Sequence, residues 1–488
     1  MMTELFKNAK SKLLPFVILV LTTFTLSPVR GQTPTARTQA PLISTAASPL
    51  QQSYADVVSR IAPAVVTVRK TERTRAGQQV PFLDDPLFRE FFGDRLPQQP
   101  RRVEGVASGV IVSADGYILT NHHVVDGATE ILVETSDNRS FKAKVVGSDQ
   151  PSDLAVLKVE GANLPVIVLG DSDKVRVGDV VLAVGNPLGI GQTVTSGIIS
   201  AKGRSTGLSD GSFEDFLQTD ASINRGNSGG ALVNTNGELV GINSQILSPS
   251  GGSIGIGFAI PSNMARAVMD QLLKTGRVRR GMIGVNIQPV TADVAASLSL
   301  PVARGAIVSA VQPGGPGERA GIKRGDVITA VNGQQITDHN NLRNVVASTA
   351  PGTNVTVTVL REGREQRIPV TLAELPSTTA STTGEGGGGG SGTGDKYGLT
   401  LEPLTAEMAS RLGLSPTEQG LVVGRITPIG AAAEAGIRQG DLIQEVNGQP
   451  VRTVAEFEAA IQRSGQRPAL VLINRRGSPI YLTLRATP

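Results

Sequence analysis

The sequence predicts a mainly β protein: one larger domain of β-barrels or β-sandwiches, followed by two copies of a small domain. Three observations support this prediction. The 488 residues are too many for one ordinary domain. From Tyr54 to about residue 262, short runs rich in Val and Ile alternate with turn signals, without long helices between them. A short glycine-containing motif then occurs twice in the C-terminal half.

The composition excludes several classes of function. Hydrophobic residues make up 39% and charged residues 18%, so globular cores are expected rather than wholesale disorder. The chain has no cysteine, which excludes disulfides, thiolate zinc sites and a cysteine nucleophile. The net charge is only +4 and the basic residues are scattered, so no nucleic-acid-binding face is predicted. No phosphate-binding G-x-x-x-x-G-K-[ST] loop occurs, so ATP-driven unfolding is not expected.

An export signal is predicted at the N terminus. Three lysines precede an apolar run from Leu13 to Leu26, which is shorter than the roughly 20 residues that a membrane-spanning helix needs. Residues 1–31 are therefore predicted to be a signal peptide, and an uncleaved membrane anchor is the alternative. Residues 32–51, rich in Thr, Pro, Ala and Gln, are predicted to be a disordered spacer.

The first domain is predicted over residues 52–277. Hairpin turns are expected at Ala114-Asp115-Gly116 and at Asn236-Gly237. The predicted strands are Gly105–Val112, Tyr117–Thr120, Asp153–Val159, Asp179–Val184, Val194–Ala201, Ala231–Val233 and Glu238–Ile242. An amphipathic helix over Asn263–Lys274 is predicted to end the domain.

The C-terminal half contains a repeat. Ala320–Ile328, AGIKRGDVI, reappears as Ala435–Ile443, AGIRQGDLI, and each copy is soon followed by Val-Asn-Gly. Because two copies are too few for a solenoid, each is predicted to be an independent small domain, over residues 278–375 and 397–488. The Ser/Thr- and Gly-rich residues 376–396 are predicted to be a flexible linker that lets the second domain move relative to the first.

The strongest local signal for chemistry is Gly226-Asn227-Ser228-Gly229-Gly230. Glycines on both sides of a serine permit a sharp turn and converging N–H groups, although such turns are also common in β proteins. A serine nucleophile needs a base that titrates near neutrality, and the chain has three histidines, His122, His123 and His339. The first two are predicted at the end of a strand, pointing to opposite sides, and position alone does not choose between them.

Asp153 is the predicted orienting carboxylate. It opens an apolar run, and a partly desolvated acid needs a hydrogen-bonding partner. The rival acids, predicted to be solvated in loops, are Asp149, Asp171 and Asp173. The order His, Asp, Ser along the chain is that of the chymotrypsin fold. An α/β-hydrolase elbow is not indicated, because a predicted hairpin rather than a helix follows Ser228.

Together these motifs closely resemble the HtrA/Deg family of trypsin-like serine proteases. Thr120–Val125, TNHHVV, is similar to the family's T-N-x-H-V-V pattern, which selects His123 as the base. Asp153-Leu154-Ala155 is similar to the aspartate motif, and Gly226–Leu232, GNSGGAL, to the nucleophile motif. The resemblance implies a trypsin/chymotrypsin-like fold of two six-stranded β-barrels, with the triad His123, Asp153 and Ser228 in the cleft between them.

The same resemblance implies the remaining residues of the site. The predicted oxyanion hole uses the backbone N–H groups of Gly226 and Ser228, and the segment assigned to it is Gly226, Asn227 and Ser228. The implied walls of the primary specificity pocket are Ile223, Ile246 and Ile256. Apolar walls favour a small aliphatic residue before the scissile bond, and the alternative is that these isoleucines belong to the core.

Residues 70–104 resemble the long activation loop of bacterial family members. Four of the 12 phenylalanines lie in this stretch, at Phe82, Phe88, Phe91 and Phe92. The resemblance implies that the loop covers the active site or contacts a neighbouring subunit. A small satellite core under a long loop is the alternative.

The two repeats resemble PDZ domains, which are small α+β domains, of the circularly permuted kind found with proteases. Gly281-Met282-Ile283-Gly284 and Tyr397-Gly398-Leu399 would be the loops whose N–H groups hold a peptide carboxylate while the peptide adds a strand. The first loop matches the family pattern better, and peptide binding by the second is left open. His339 is predicted to be a surface histidine.

The resemblance implies an ATP-independent serine endopeptidase of the periplasm that degrades unfolded or misfolded proteins in quality control and stress response, with a chaperone role besides. It implies homotrimers, larger cages and peripheral contact with the membrane, and neither a metal nor an organic cofactor. Two alternatives remain at this point. A PDZ scaffold or holdase would have lost a triad residue, and an esterase with the same triad would cleave small esters but not protein chains.

Overall fold

The computed structural model describes residues 53–73, 102–186, 191–207, 212–224, 226–249, 251–376 and 397–485. The predicted signal peptide and spacer, the four clustered phenylalanines and nearly all of the predicted linker lie outside these residues. Among the described residues, no helix combines the length and the apolar composition that crossing a bilayer requires.

The N-terminal part of the chain forms a β-barrel. Helix α1 (Ala55–Ile61) leads into strands β1 (Val65–Arg73), β2 (Arg102–Ile111), β3 (Tyr117–Thr120), β4 (Glu130–Glu134), β5 (Ser140–Lys142), β6 (Lys144–Asp149) and β7 (Leu154–Lys158). Their order is β5-β4-β1-β2-β3-β7-β6. β5 and β6 are halves of one bent segment, interrupted only at Ala143, so the two ends of the sheet meet and the expected six-stranded barrel has one split strand.

A second barrel follows. Its strands are β8 (Val180–Gly185), β9 (Thr193–Arg204), β10 (Phe216–Thr219), β11 (Ala231–Asn234), β12 (Leu239–Ile246) and β13 (Gly257–Pro261). They close in the order β10-β13-β12-β11-β8-β9, as the resemblance implied. Helix α2 (His122–Val125) lies in the first barrel, and α3 (Ser262–Thr275) follows the second. The predicted mainly β architecture is confirmed.

Alternation along the strands places the cores. In β3, Ile118 packs inside the first barrel while its neighbour Leu119 packs in the cluster between the barrels. In β8, Val181 packs inside the second barrel while Leu182 joins the same shared cluster. Successive residues of a strand point to opposite faces, so strands such as β3 and β8 contribute to two cores at once. The shared cluster therefore holds the two barrels together along the cleft.

The first repeat domain is an open sheet with helices. Its strands are β14 (Gly281–Met282), β15 (Val285–Pro289), β16 (Ala306–Val311), β17 (Val327–Val331), β18 (Gln334–Gln335), β19 (Asn354–Arg361), β20 (Arg364–Thr371) and β21 (Ala373–Glu374). Its helices are α4 (Ala292–Ser297), α5 (Pro316–Ala320) and α6 (His339–Ser348). The main sheet runs β15-β16-β17-β19-β20, so β15 and β20 are its edges.

The second repeat domain has the same plan. Its strands are β22 (Leu399–Pro403), β23 (Leu421–Ile426), β24 (Leu442–Val446), β25 (Gln449–Pro450), β26 (Ala469–Arg475) and β27 (Ser478–Leu484). Its helices are α7 (Ala406–Arg411), α8 (Ala431–Glu434) and α9 (Val454–Arg463). The sheet runs β22-β23-β24-β26-β27, which matches the first domain strand for strand.

The two repeat domains share an interface, which differs from the free movement predicted from the linker. Tyr481 of β27 is buried in one apolar cluster with Ile307 of β16 and Val327 of β17. Ser297 Oγ of the first domain donates to the carbonyl oxygen of Pro468 in the second, at 2.7 Å. The linker composition carries no information about apolar surface on the domains it joins, and the flexibility predicted for residues 376–396 stays a prediction.

Candidate active site

The two neighbouring histidines begin helix α2 rather than lying on a strand as predicted. Val124 and Val125 are buried inside the first barrel and anchor this single turn, which turns both imidazoles outward. His122 Nδ1 lies 3.2 Å from Ser148 Oγ. His123 Nδ1 lies instead 2.9 Å and 3.0 Å from the two carboxylate oxygens of Asp153. The structure therefore brings His123, and not His122, to the acid.

Asp153 follows a 3-10 turn, Gln150–Ser152, and has a left-handed backbone with φ 53°. A residue with a Cβ is uncommon in that region and is held there by its surroundings. Its carbonyl oxygen accepts a hydrogen bond from Asn121 Nδ2 at 3.0 Å. Its Oδ1 also accepts the backbone N–H of His123 at 3.1 Å. The carboxylate is thus fixed beside the ring, where it favours the tautomer with a proton on Nδ1.

Ser228 lies in a turn between β10 and β11 that requires glycine on its C-terminal side. Gly229 has φ 79°, and a Cβ there would lie 2.2 Å from the carbonyl oxygen of Ser108. The carbonyl oxygen of Ser228 accepts the N–H of Ser108 at 2.9 Å, which ties the turn to the first barrel. Ser228 Oγ donates to the carbonyl oxygen of Ser244 at 2.9 Å. The hydroxyl is therefore held by a backbone acceptor of β12, the strand whose Ser244 also contacts Asp153.

Ser244 is a site residue that the sequence reasoning missed. It lies in β12 with only 3% of its surface exposed, and its Oγ donates to Asp153 Oδ2 at 2.8 Å. Because its carbonyl oxygen also accepts the hydrogen bond from Ser228 Oγ, Ser244 contacts two members of the predicted triad, Asp153 and Ser228. The signal was present in the sequence, because Asn243 and Ser244 interrupt an apolar strand with two buried polar residues.

The predicted oxyanion segment is only partly available. The N–H of Asn227 donates to the carbonyl oxygen of Asn224 at 3.0 Å, so it is engaged inside the turn. The N–H of Asn227 would have to leave that hydrogen bond to bind an oxyanion, and its assignment to the hole stays a prediction. The carbonyl oxygen of Gly226 accepts Ser108 Oγ at 2.6 Å, and Gly226 has φ 96°. The N–H groups of Gly226 and Ser228 stay the predicted donors.

The three isoleucines of the predicted specificity pocket lie in different surroundings. Ile223 is 1% exposed and belongs to the interior of the second barrel, where Ile246 packs against the same cluster. Ile256 is half-buried and packs against the cluster between the barrels. Burial of Ile223 agrees with the core alternative, and the pocket stays a prediction.

The surroundings of Asp149 also differ from those predicted. This residue was predicted to be solvated but is 7% exposed, and Arg280 of the first repeat domain donates to both of its oxygens, at 2.8 Å and 2.5 Å. Its Oδ2 also accepts the N–H of Ser152 at 3.0 Å, which caps the turn before Asp153. The partner comes from a distant part of the chain, so no local pattern could have predicted this pair. Asp171 is half-exposed as predicted, and a hydrogen bond from Asn263 keeps the pKa of its carboxyl below the usual value.

The predicted carboxylate loops have the same geometry in both repeat domains. In the first, the carbonyl oxygens of Ile283 and Gly284 accept the N–H groups of Gly317 and Gln312, at 2.6 Å and 2.9 Å. In the second, the carbonyl oxygens of Tyr397 and Gly398 accept the N–H groups of Ala432 and Thr427, at 3.2 Å and 2.8 Å. Gly284 and Gly398 have φ 78° and 73°. Among the described residues, no group of three or more His, Asp or Glu side chains is arranged to hold a metal ion.

Comparison with known proteins agrees with this geometry. Residues 107–242 match the trypsin-like peptidase domain, and residues 281–372 and 392–472 each match the PDZ domain. The chain is 43% identical over 438 residues to the periplasmic pH-dependent serine endoprotease DegQ of Escherichia coli (strain K12), covering 89% of this chain and 91% of that protein. This chain belongs to the HtrA/Deg family.

Two further relatives support the assignment. A protein of Haemophilus influenzae named "Probable periplasmic serine protease do/HhoA-like" is 42% identical over 446 residues, covering 89% of this chain and 92% of that one. The solved structure "HtrA-type protease AlgW with decapeptide" is 49% identical, with a TM-score of 0.54, and covers 67% of this chain and all of that one. This HtrA/Deg protein is thus a serine endopeptidase with a trypsin-like protease domain and two PDZ domains, here named PDZ1 and PDZ2 in chain order.

Proposed function

We propose that this HtrA/Deg protein cleaves peptide bonds with Ser228 as nucleophile, His123 as general base and Asp153 as the group that orients the imidazole. The observation that carries the proposal is the hydrogen-bonded path from Asp153 to both other residues. Asp153 contacts His123 Nδ1 directly and reaches Ser228 through Ser244. The order of the three residues along the chain agrees with this assignment of roles.

The steps follow from the atoms at the site. Ser228 Oγ first breaks its hydrogen bond to the carbonyl oxygen of Ser244 and donates instead to His123 Nε2. It then transfers its proton to that nitrogen as the oxygen attacks the substrate carbonyl carbon. The new oxyanion is bound by the N–H groups of Gly226 and Ser228. His123 then protonates the leaving amine, and water attacks the acyl ester by the same path in reverse. Asp153 accepts the hydrogen bond from His123 Nδ1 and stabilises the imidazolium in each half of the reaction.

The substrates proposed are unfolded or misfolded proteins, because a cleft between two barrels accepts an extended strand and not a folded surface. The site of action proposed is the periplasm, since the relatives named above are periplasmic proteases. Assembly into homotrimers or larger cages, contact with the membrane and a chaperone role belong to the same proposal. PDZ1 would bind the C-terminal carboxylate of a peptide at the Gly281–Gly284 loop, with the peptide added to the edge strand β15.

Digestion of a denatured, casein-like protein tests the proposal. Wild type is expected to degrade it without ATP, and Ser228→Ala is expected to lose essentially all of this activity. Ser196→Ala, an exposed serine on β9, is the matched control and should digest at the wild-type rate. Equal digestion by wild type and Ser228→Ala would contradict the assignment of the nucleophile.

Two further measurements separate the other parts of the proposal. An esterase with this triad would hydrolyse small esters but leave the denatured protein intact, whereas the endopeptidase proposed here cleaves both. A native, disulfide-stabilised substrate should resist cleavage until it is reduced, if unfolded chains are the substrate. A sizing-column profile combined with negative-stain images tests the trimer, and a monomer in both would contradict that part alone.

A further inference from the structure

One glutamine joins the peptide-accepting strand of PDZ1 to PDZ2. Gln288 lies on β15, the edge strand that follows the Gly281–Gly284 loop. Its Oε1 accepts the backbone N–H of Tyr481 at 2.7 Å, and its Nε2 donates to the carbonyl oxygen of the same residue at 3.3 Å. A side-chain amide carries one acceptor and one donor group like a peptide unit, so Gln288 pairs with β27 as a further strand would.

β27 is itself an edge strand of PDZ2, so its outward N–H and C=O groups are open to pairing. The side chain of Gln288 makes both hydrogen bonds to the backbone of Tyr481, so the backbone of β15 takes no part in this pairing. Val285 and Ile287, the alternate residues of β15, pack against the PDZ1 core. The outer main-chain edge of β15 is therefore left for an incoming strand, while the strand is held from two sides.

The contact around Gln288 is extensive. Tyr481 is 7% exposed and packs with Ile307 and Val327 of PDZ1, in a cluster to which Leu470 and Leu472 of PDZ2 also belong. Burial raises the pKa of the Tyr481 hydroxyl to about 12, so it stays neutral at physiological pH. Around this cluster, hydrogen bonds and ion pairs cross between the domains at Ser297–Pro468, Ser299–Arg467, Asp293–Arg485 and Arg324–Glu445.

We propose that PDZ2 braces the peptide-binding strand of PDZ1 through Gln288, so that the affinity of PDZ1 for a peptide with a free C-terminal carboxylate depends on PDZ2. Strand addition is tighter when the accepting strand is already ordered, because a mobile edge strand loses conformational entropy when the peptide binds. PDZ2 supplies the order without occupying the groove. Gln288 is a positioning residue in this account, and the account rests on the carboxylate-loop function proposed above for PDZ1.

Linkage makes the effect reciprocal. If PDZ2 tightens peptide binding by a given factor, a peptide bound at β15 tightens the contact between PDZ1 and PDZ2 by the same factor. A substrate tail in PDZ1 would therefore hold PDZ2 in place. The polypeptide partner that fits this surface is an extended chain end, because only a terminal carboxylate reaches the loop and only an extended backbone pairs with β15.

The test is equilibrium binding to the full chain carrying Ser228→Ala, which prevents cleavage. The probe is a short fluorescent peptide ending in valine with a free carboxylate, and the same peptide with a C-terminal amide is its partner probe. Gln288→Ala is expected to weaken binding of the acid peptide about threefold to tenfold, the range for one net hydrogen bond. Arg467→Ala, which loosens the interface without touching β15, should weaken it in the same direction but less.

Gln366→Ala is the matched control, since Gln366 is an exposed glutamine on β20, the opposite edge of the PDZ1 sheet. It should bind the acid peptide as the parent does. Hydrogen exchange of the Val285–Pro289 segment without peptide gives a second readout, and it should be faster in Gln288→Ala but not in Gln366→Ala. Faster exchange together with weaker binding supports the brace.

The outcomes that overturn the inference are distinct. If the parent binds only the acid peptide and both interface variants bind it equally well, the brace is wrong while the carboxylate loop stands. If the parent binds the amide as tightly as the acid, the carboxylate loop is wrong and the inference falls with it. Unchanged exchange of β15 in Gln288→Ala would also overturn the brace.

Discussion

PDZ1 and PDZ2 share one internal frame. Arg361 pairs with Asp326 in PDZ1 at 2.7 Å, and Arg475 pairs with Asp441 in PDZ2 at 2.8 Å. Each arginine also donates to a glycine carbonyl oxygen, that of Gly321 or Gly436, in the repeated Ala-Gly-Ile motif. The motif that is repeated in the sequence therefore carries the aspartate of a buried ion pair in each domain.

The outward faces of the two domains differ. Asn340 and Asn344 of α6 both donate to the carbonyl oxygen of Glu214 in the protease domain, at 2.7 Å. The Arg343 guanidinium carbon lies 4.7 Å from the centre of the Phe213 ring. Counted from the helix N-caps, the positions of Asn340, Arg343 and Asn344 are held in α9 by Ala455, Glu458 and Ala459. At these positions α9 therefore lacks the two amide donors and the cation with which α6 contacts the protease domain.

Arg280, the residue just before the PDZ1 carboxylate loop, also contacts the protease domain. Arg280 lies 4.5 Å from the Phe213 ring centre and forms the buried pair with Asp149, which caps the turn leading to Asp153. PDZ1 therefore contacts the turn that presents the predicted catalytic acid, whereas the contacts of PDZ2 described above are with PDZ1. The two domains thus share their buried ion pair and differ in the surface residues that meet a neighbouring domain.

The largest expected effect comes from breaking the contact between PDZ1 and the protease domain. Arg280→Ala leaves the buried carboxylate of Asp149 without its cation, which should destabilise the protein by about 3–5 kcal/mol. Urea unfolding in the Ser228→Ala background measures this loss. Arg279→Ala is the control, because Arg279 forms a solvent-screened pair with Glu374 and should change the stability much less than Arg280→Ala does. Equal effects of the two substitutions would contradict the assigned importance of the buried pair.

The shared frame predicts matched effects in the two PDZ domains. Arg361→Ala and Arg475→Ala each leave an almost fully buried aspartate unpaired, so each should cost about 3 kcal/mol. Hydrogen exchange should place the first loss in PDZ1 and the second in PDZ2. A large loss from one substitution and none from the other would show that the two frames are not equivalent.

The contact between PDZ1 and the protease domain should also respond to pH. Burial, and then the charges of Asp173 and Asp338, raise the pKa of Asp215 from 3.8 to about 6, against the opposing effect of Lys202. Between about pH 4 and pH 6, the folded protein therefore keeps this proton on Asp215 while the unfolded chain has released it. The stabilisation that results is complete below about pH 4 and is lost as the pH rises through about 6. Asp215→Asn should be more stable than its parent by about 2 kcal/mol at pH 8, with the difference shrinking below pH 6.

Urea unfolding of that pair of proteins at several pH values checks the prediction. A difference that does not vary between pH 5 and pH 8 would contradict it. Asp173→Asn serves as the comparison, because it removes one neighbouring charge and should lower the apparent pKa of Asp215 without removing its titration.

The smallest effect is expected at the α6 helix. Asn344→Ala removes one hydrogen bond to the carbonyl oxygen of Glu214 and should cost about 1 kcal/mol. The reverse change in PDZ2, Ala459→Asn, should leave the stability within about 0.5 kcal/mol of its parent. Thermal unfolding distinguishes the two, and an equal loss in both domains would remove the contrast drawn between them.

Local patterns predicted much of this fold. The strand Tyr117–Thr120 has the predicted bounds, and the predicted turns at Gly116 and Gly237 have φ 92° and 82°. These features depend on neighbouring residues, so the sequence carries them directly. The repeat likewise predicted two domains of one plan, because the buried Arg–Asp frame is close to the repeated motif.

The features that could not be predicted depend on partners far along the chain. Asp149 was expected in solvent because Arg280, 131 residues away, is invisible to a local pattern. Ser244 likewise reaches Asp153 across the cleft, and the packing of PDZ2 on PDZ1 depends on apolar surface and not on the linker. The sequence pointed to His123, Asp153 and Ser228 because the chemistry restricts their residue types, whereas these tertiary contacts depend on which distant segments the fold brings together.

The central claim is that the His123–Asp153 pair activates Ser228. The most direct test is intact-mass measurement after reaction with a fluorophosphonate probe, which labels only an activated serine. The account predicts one adduct per chain, located at Ser228, absent in Ser228→Ala and nearly absent in His123→Ala, with His122→Ala labelled like wild type. An adduct on another serine, or undiminished labelling of Ser228 in His123→Ala, would contradict it.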